Sequence, residues 1–361
     1  MDWSKSINPG NLLWAGYSGM FFFLPVATSP TVICGVAILT VWILSGRFLG
    51  DMRSWCRSDI ALPVMFIIIL PWVGLLYTPS PVDGFPVAMK SHYWLYAMAL
   101  SPLLLVQGRP DLPIRMFLAG LSLNSTISLL QFAGVLPLKK GLATGLLGGS
   151  SAHIAFSLLL ATGILIGSFY FSRAQQERDR VLFGTMVFQY VLTIGFIGGR
   201  SGYAALIILS PLIIYNLIRK RHIMKVLIVS GMAVLLLFAF PVVRARFVQA
   251  REDIMLYGQG TINTSLGLRL HMWEIALSEI KRHPLSGVGT AGFRRSWEIY
   301  KKDQFLPFFD HPHNSFLYMI VSFGVLGLGA FCWLLFVVLK RGWRGRDSPL
   351  GFAVFAFTAV F

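Results

Sequence analysis

The chain has 361 residues, 55% of them hydrophobic and 13% charged, with a net charge of +16. Its apolar residues come in blocks of bilayer-spanning length, which excludes an ordinary soluble fold of this size. The positive charge does not mark a nucleic-acid partner, because Lys and Arg form no continuous patch and recur in short segments between the apolar blocks, as topogenic charge does.

In chain order the blocks run Leu12 to Ala27, Thr31 to Ser45, Ile60 to Tyr77, Val87 to Val106, Ile114 to Val135, Ala152 to Phe171, Val181 to Ile197, Tyr203 to Leu217, Ile223 to Phe240 and Asn314 to Leu339. The first carries only Lys5 against Asp2 ahead of it and reads as a retained helix, not a signal peptide. The blocks predict ten membrane spans in one integral membrane domain covering residues 1–361. An eleventh begins at Leu350 but reaches Phe361 after about a dozen residues, short of the ~20 that a spanning helix needs, so further helices are expected beyond it. Cys34, Cys56 and Cys332 have neither paired nor metal-type spacing.

Loops rich in Lys and Arg stay cytoplasmic. An inside N-terminus places Lys5, Arg47, Arg53, Arg57, Arg109, Arg115, Arg173, Arg178, Arg180, Arg219, Lys220, Arg221, Lys225, Lys340, Arg341, Arg344 and Arg346 in the cytoplasm, more than half of the 31 basic residues. Lys90, Lys139, Lys140 and Arg200 then lie outside, together with one long polar loop over residues 242–313. Within that loop Leu266, Leu270, Trp273, Leu277 and Ile280 recur at helical spacing, Ser265 is a candidate N-cap and His283-Pro284 a stop. An amphipathic helix at the outer interface is expected, its apolar stripe facing the bundle.

Several groups in and beside this loop can carry chemistry. Gly287-Val288-Gly289-Thr290-Ala291-Gly292 has the GxGxxG spacing of dinucleotide sites but lacks their strand–turn–helix context, so it reads as a flexible turn returning the chain to the membrane. Arg200 sits in Gly198-Gly199-Arg200-Ser201-Gly202, where glycines let a backbone approach a ligand and a guanidinium offers a fork to phosphate. Arg269 could share that anion, offsetting its charge without a metal, since no DxD triplet or His/Cys cluster occurs. His311 and His313 lack an evident third ligand, and a general base is the better reading, because an imidazole titrates near neutrality. Asp310 and Asn314 either orient an imidazole or cap the helix that follows.

Gly199-Arg200-Ser201-Gly202, Arg269-Leu270-His271-Met272-Trp273, His283-Pro284-Leu285-Ser286-Gly287-Val288-Gly289 and His311-Pro312-His313-Asn314-Ser315-Phe316-Leu317 together resemble the O-antigen ligase family, in order and in topology. The resemblance implies a helical bundle of the GT-C type with about 11–12 transmembrane helices in the bacterial inner membrane. It implies transfer of O-antigen glycan from undecaprenyl diphosphate to lipid A-core on the periplasmic face, with inversion and with neither metal nor other cofactor. His313 is similar to the family's catalytic histidine, and Arg200 and Arg269 to its diphosphate-binding arginines; Pro312 stands where the family often has Ser or Thr. O-antigen polymerases and protein O-oligosaccharyltransferases share the donor and the pattern. A transporter, the reading from another class, would need polar broken helices in two related halves.

Overall fold

The computed structural model describes residues 9–96, 98, 111–139, 141–148, 152–218, 231, 232, 235, 237–301 and 305–360, and among them it has helices and turns but no β-strand. The helices are α1 (Pro9–Phe23), α2 (Thr28–Leu44), α3 (Phe48–Cys56), α4 (Ala61–Gly74), α5 (Pro81–Met89), α6 (Asp111–Phe132), α7 (Ala152–Arg173), α8 (Glu177–Ile197), α9 (Arg200–Ile218), α10 (Pro241–Gly258), α11 (Ser265–Arg282), α12 (Gly292–Tyr300), α13 (Ser315–Arg344) and α14 (Pro349–Val360), with a 3-10 turn at Lys90–His92. The chain forms two compact units. One comprises Met1–Leu49, Ala99–Phe247 and Leu339–Phe361, the other Gly50–Met98 and Val248–Val338.

The first unit is built on α7, which packs against α8, α9 and α14. In lipid, helices associate through close packing and hydrogen bonds, and not by escape from water. Gly163 and Gly167 accordingly bring α7 against the side chains of Leu121, Tyr190 and Val187, and Tyr190 Oη donates to the Leu118 carbonyl at 2.7 Å. Asn124, Ser128 and Gln131 form a polar stripe on α6 that holds the following loop. Asn124 Oδ1 accepts from Leu146 N at 2.6 Å and Gln131 Oε1 from Gly145 N at 2.8 Å, while Ser128 Oγ donates to the Ala143 carbonyl at 2.5 Å.

The second unit centres on a break in α13. Gly324 has φ 65° and ψ −158°, so the helix changes course there. Such a break orphans backbone groups that cannot stay unpaired in a membrane. The segment Pro284–Gly289 supplies them: Val288 N donates to Val321 O (2.8 Å), Gly289 N to Ser322 O (2.9 Å), and Val325 N donates to Pro284 O (3.0 Å). Gly287 and Gly289 have φ of +67° and +83°, and a methyl on either would strike backbone of α13 or of residues 74–78. Next along, Thr290 Oγ1 donates to Pro71 O at 2.6 Å and Thr78 Oγ1 to Thr290 O at 2.7 Å. The glycine-rich stretch is therefore a latch between α4 and α13, not the flexible turn its spacing predicts.

Among the described residues three helices are long and apolar enough to cross a membrane, Ala152–Arg173, Glu177–Ile197 and Ser315–Arg344, and a fourth if the pair Thr28–Leu44 and Phe48–Cys56, bent by 100°, counts as one span. The protein is an all-α polytopic membrane protein with fewer uninterrupted spans among the described residues than the ten blocks predict. The block from Ile60 gives a 14-residue helix with Pro71 inside it, and the α6 block contains the polar stripe that serves the loop. Part of the block from Val87 and most of that from Ile223 lie outside the described residues, as do Lys5, Arg109, Lys140, Arg219, Lys220, Arg221 and Lys225.

The amphipathic helix exists as α11, with its boundaries close to those expected. Its N-cap is Thr264, whose Oγ1 accepts from Gly267 N at 3.0 Å, one residue before Ser265. Its buried face is His271, Met272, Ile275, Ala276 and Glu279, rotated from the predicted stripe and leaving Leu277 51% exposed. The rotation follows from its partner: Met272, Ile275 and Ala276 pack with Phe293 and Trp297 of α12 and with Leu306.

Candidate functional site

The His311–His313 segment lies in the second unit between Phe309 and the start of α13. Asn314 Oδ1 accepts from Phe316 N and Leu317 N at 3.0 and 3.1 Å, so Asn314 is the N-cap of α13. This geometry gives Asn314 the capping role of the two open on sequence. Trp273 Nε1 of α11 donates to the Pro312 carbonyl at 3.0 Å. Clamped on both sides, His313 takes φ 51°, the left-handed region that histidine enters only occasionally and that concentrates at functional sites.

The His313 ring stands edge-on to Phe309 with centroids 5.5 Å apart and 4.3 Å from the His311 ring. Below it Phe309 meets Trp297, and Trp297 meets His271, which is 3% exposed. An aromatic floor therefore supports the imidazole, continuous with the α11–α12 core. His311 Nδ1 lies 2.5 Å from Asp310 Oδ1. Burial raises the Asp310 carboxyl, but the His311 hydrogen bond and charge, helped by Lys90, hold it below the usual carboxylate range. Burial pushes His313 below its ordinary value, and the charges of His311 and Arg269 push it further the same way, against Asp310.

These groups open onto a cavity of about 580 Å³ lined by Asp310, His311, His313, Asn314 and Tyr318 and, from the first half of the chain, by Lys90, Ser91 and Trp94. The structure thus gathers four of the expected residues at one cavity, with Arg269, half-buried on α11, within electrostatic reach of His313. Lys90 and Trp94 were not singled out on sequence, although a lone lysine inside an apolar block is itself a signal. Trp273 was read as part of an apolar stripe and of the Arg269–Trp273 motif, with no contact to the histidine segment expected. Among the described residues no group of three His, Cys, Asp or Glu side chains is placed to hold a metal ion.

Arg200 belongs to the first unit, as the opening residue of α9. Gly198 caps α8 in the left-handed conformation and donates its N–H to Tyr203 Oη at 3.0 Å. Gly199 and Gly202 face Ser157 so closely that a methyl on either would strike it. The glycines that were expected to admit a ligand instead admit α7. The Arg246 guanidinium lies over Gly198, and this second arginine at the Arg200 turn was not legible in the sequence.

Residues 185–332 match the family described as O-antigen ligase. Arg200, Arg269 and His313 all fall within the family segment, whereas Lys90, Ser91 and Trp94 lie outside it. A protein of Haemophilus influenzae described as uncharacterised is 27% identical over 197 residues, which are 52% of this chain and 48% of that protein. The chain thus spans about half the length of this curated relative.

Proposed function

We propose that this protein transfers O-antigen glycan from undecaprenyl diphosphate to lipid A-core oligosaccharide, at the periplasmic face of the bacterial inner membrane. The observation that carries the reading is His313: within the O-antigen ligase segment, in left-handed backbone, its ring lines a cavity and is kept neutral by burial. A neutral imidazole accepts a proton, so His313 is the general base. The acceptor hydroxyl oxygen bonds to the anomeric carbon as the glycosidic bond to the lipid diphosphate breaks. The hydroxyl proton passes to His313, and the electron pair leaves with the diphosphate. Attack opposite the leaving group inverts the anomeric centre. Arg269, within electrostatic reach of His313, stabilises the departing anion with its planar guanidinium, the role a metal ion would otherwise fill, and Arg200 is assigned to the diphosphate by the family resemblance alone.

The test is ligation in a strain lacking its own ligase, with donor binding measured on purified protein. His313→Ala is expected to abolish ligation while leaving lipid diphosphate binding intact. Normal ligation, or a defect traced wholly to donor binding, would remove the base assignment. Activity surviving EDTA is expected, and loss restored by one divalent ion would overturn the arginine role. Lengthening of lipid-linked glycan in cells without acceptor core would move the assignment to a polymerase.

A further inference from the structure

We propose that the Lys90–Trp94 stretch forms an acceptor-saccharide subsite in the His313 cavity, in which Trp94 offers a stacking surface and Lys90 and Asp310 serve as paired donor and acceptor for sugar hydroxyls. This rests on His313 as the base, since the attacking hydroxyl must lie beside it.

The placement comes first. Lys90, Ser91 and Trp94 line the same cavity as Asp310, His311 and His313, although more than 200 residues separate the two stretches. The 3-10 turn Lys90–His92, which carries Lys90 and Ser91 and precedes Trp94, is held locally, with Trp72 Nε1 donating to Ser91 Oγ at 3.2 Å and His92 Nδ1 lying 2.7 Å from the Met89 carbonyl. Lys90 also follows α5, which the Arg294–Asp83 ion pair, at 2.5 Å, ties to α12. The wall therefore stands on the same framework as the histidines.

The chemistry selects the ligand. A diphosphate entering this cavity would meet the Asp310 carboxylate, which His311 and Lys90 keep ionised. A neutral, hydroxyl-rich ring meets no such opposition, because each hydroxyl both donates and accepts and can use Lys90 and Asp310 together. The C–H face of a pyranose is apolar and suits an indole, a large rigid surface with little entropy to lose. At about 580 Å³ the cavity is within the range of small-molecule sites. The wall also lies outside residues 185–332. The base is thus carried by the matched segment and the acceptor wall by a stretch outside it.

The experiment uses the full chain purified in detergent, with two probes: core oligosaccharide released from the acceptor lipid by mild acid, and inorganic pyrophosphate. Trp94→Ala and Lys90→Met are each expected to weaken oligosaccharide binding, read by saturation-transfer NMR, about tenfold, the loss of one good contact. Acceptor KM should rise in parallel, with kcat and donor KM little changed, and Trp94→Phe should recover most of the loss. Unchanged oligosaccharide affinity in both variants overturns the subsite, as does loss of pyrophosphate binding in Lys90→Met, which would assign Lys90 to the donor. Should Trp94→Ala fail to purify, Lys90→Met decides by the same criteria. Wild-type protein that binds the oligosaccharide yet transfers nothing would overturn His313 as the base and leave the subsite standing.

Discussion

At the scale of the residue, the base proposed at His313 owes its character to its surroundings. Its value lies below the ordinary 6.5 because of burial first and then of His311 and Arg269, so kcat/KM should hold through pH 7 and fall only on acidification. His311→Gln removes a neighbouring charge that opposes protonation of His313 and releases Asp310 from its hydrogen bond; both changes favour the imidazolium. The acid limb of kcat/KM should therefore move to higher pH. A limb that stays in place or moves down would show that another group titrates. Folding stability obeys the same sign: above pH 6.5 the group contributes nothing, and below it the unfolded chain takes up a proton that the folded chain resists, so stability falls. His313→Gln should flatten that decline, as measured by thermal unfolding in detergent between pH 7 and pH 5.

At the scale of the element, the site depends on a helix that is not continuous. The break at Gly324 lets the Pro284–Gly289 latch dock onto α13, and Trp273 fixes the Pro312 carbonyl just ahead of the cap. Gly324→Ala would put a methyl onto the Leu285 carbonyl in a backbone region hostile to L-residues. It is expected to destabilise by about 3 kcal/mol or more, seen as a lower melting temperature of purified protein; an unchanged melting temperature would mean the latch is dispensable. Trp273→Phe removes a single hydrogen bond of about 1 kcal/mol but frees the backbone at His313. Its signature should be a fall in kcat with donor affinity kept, and the reverse pattern would place Trp273 in donor binding.

At the scale of the whole molecule, orientation decides which compartment sees the cavity. From the distribution of Lys and Arg we expect residues 242–313 to lie outside the cytoplasm. A cysteine introduced at Gly260, an exposed turn after α10, should react with a membrane-impermeant maleimide added to intact cells with a permeabilised outer membrane. One at Gln175, between α7 and α8, should react only after lysis. Labelling with the opposite sidedness would invert the topology and remove a periplasmic site.

Composition and apolar patterning alone determined that the chain is a helical membrane protein, because burial in lipid demands long apolar runs. The ordered motifs from Arg200 to His313 likewise announced the family that residues 185–332 match. Local spacing also placed α11 and its end at His283, since caps and stops are read within a few residues. Other features depended on contacts between distant stretches. The latch role of Gly287 and Gly289 needs α4 and α13 on either side, so their spacing alone resembled a loose turn. The inward face of α11 was set by α12, and the glycines around Arg200 were taken by Ser157. Lys90 and Trp94 reach the His313 cavity only through tertiary packing, because a side chain's partner across more than 200 residues leaves no period or cap in the sequence.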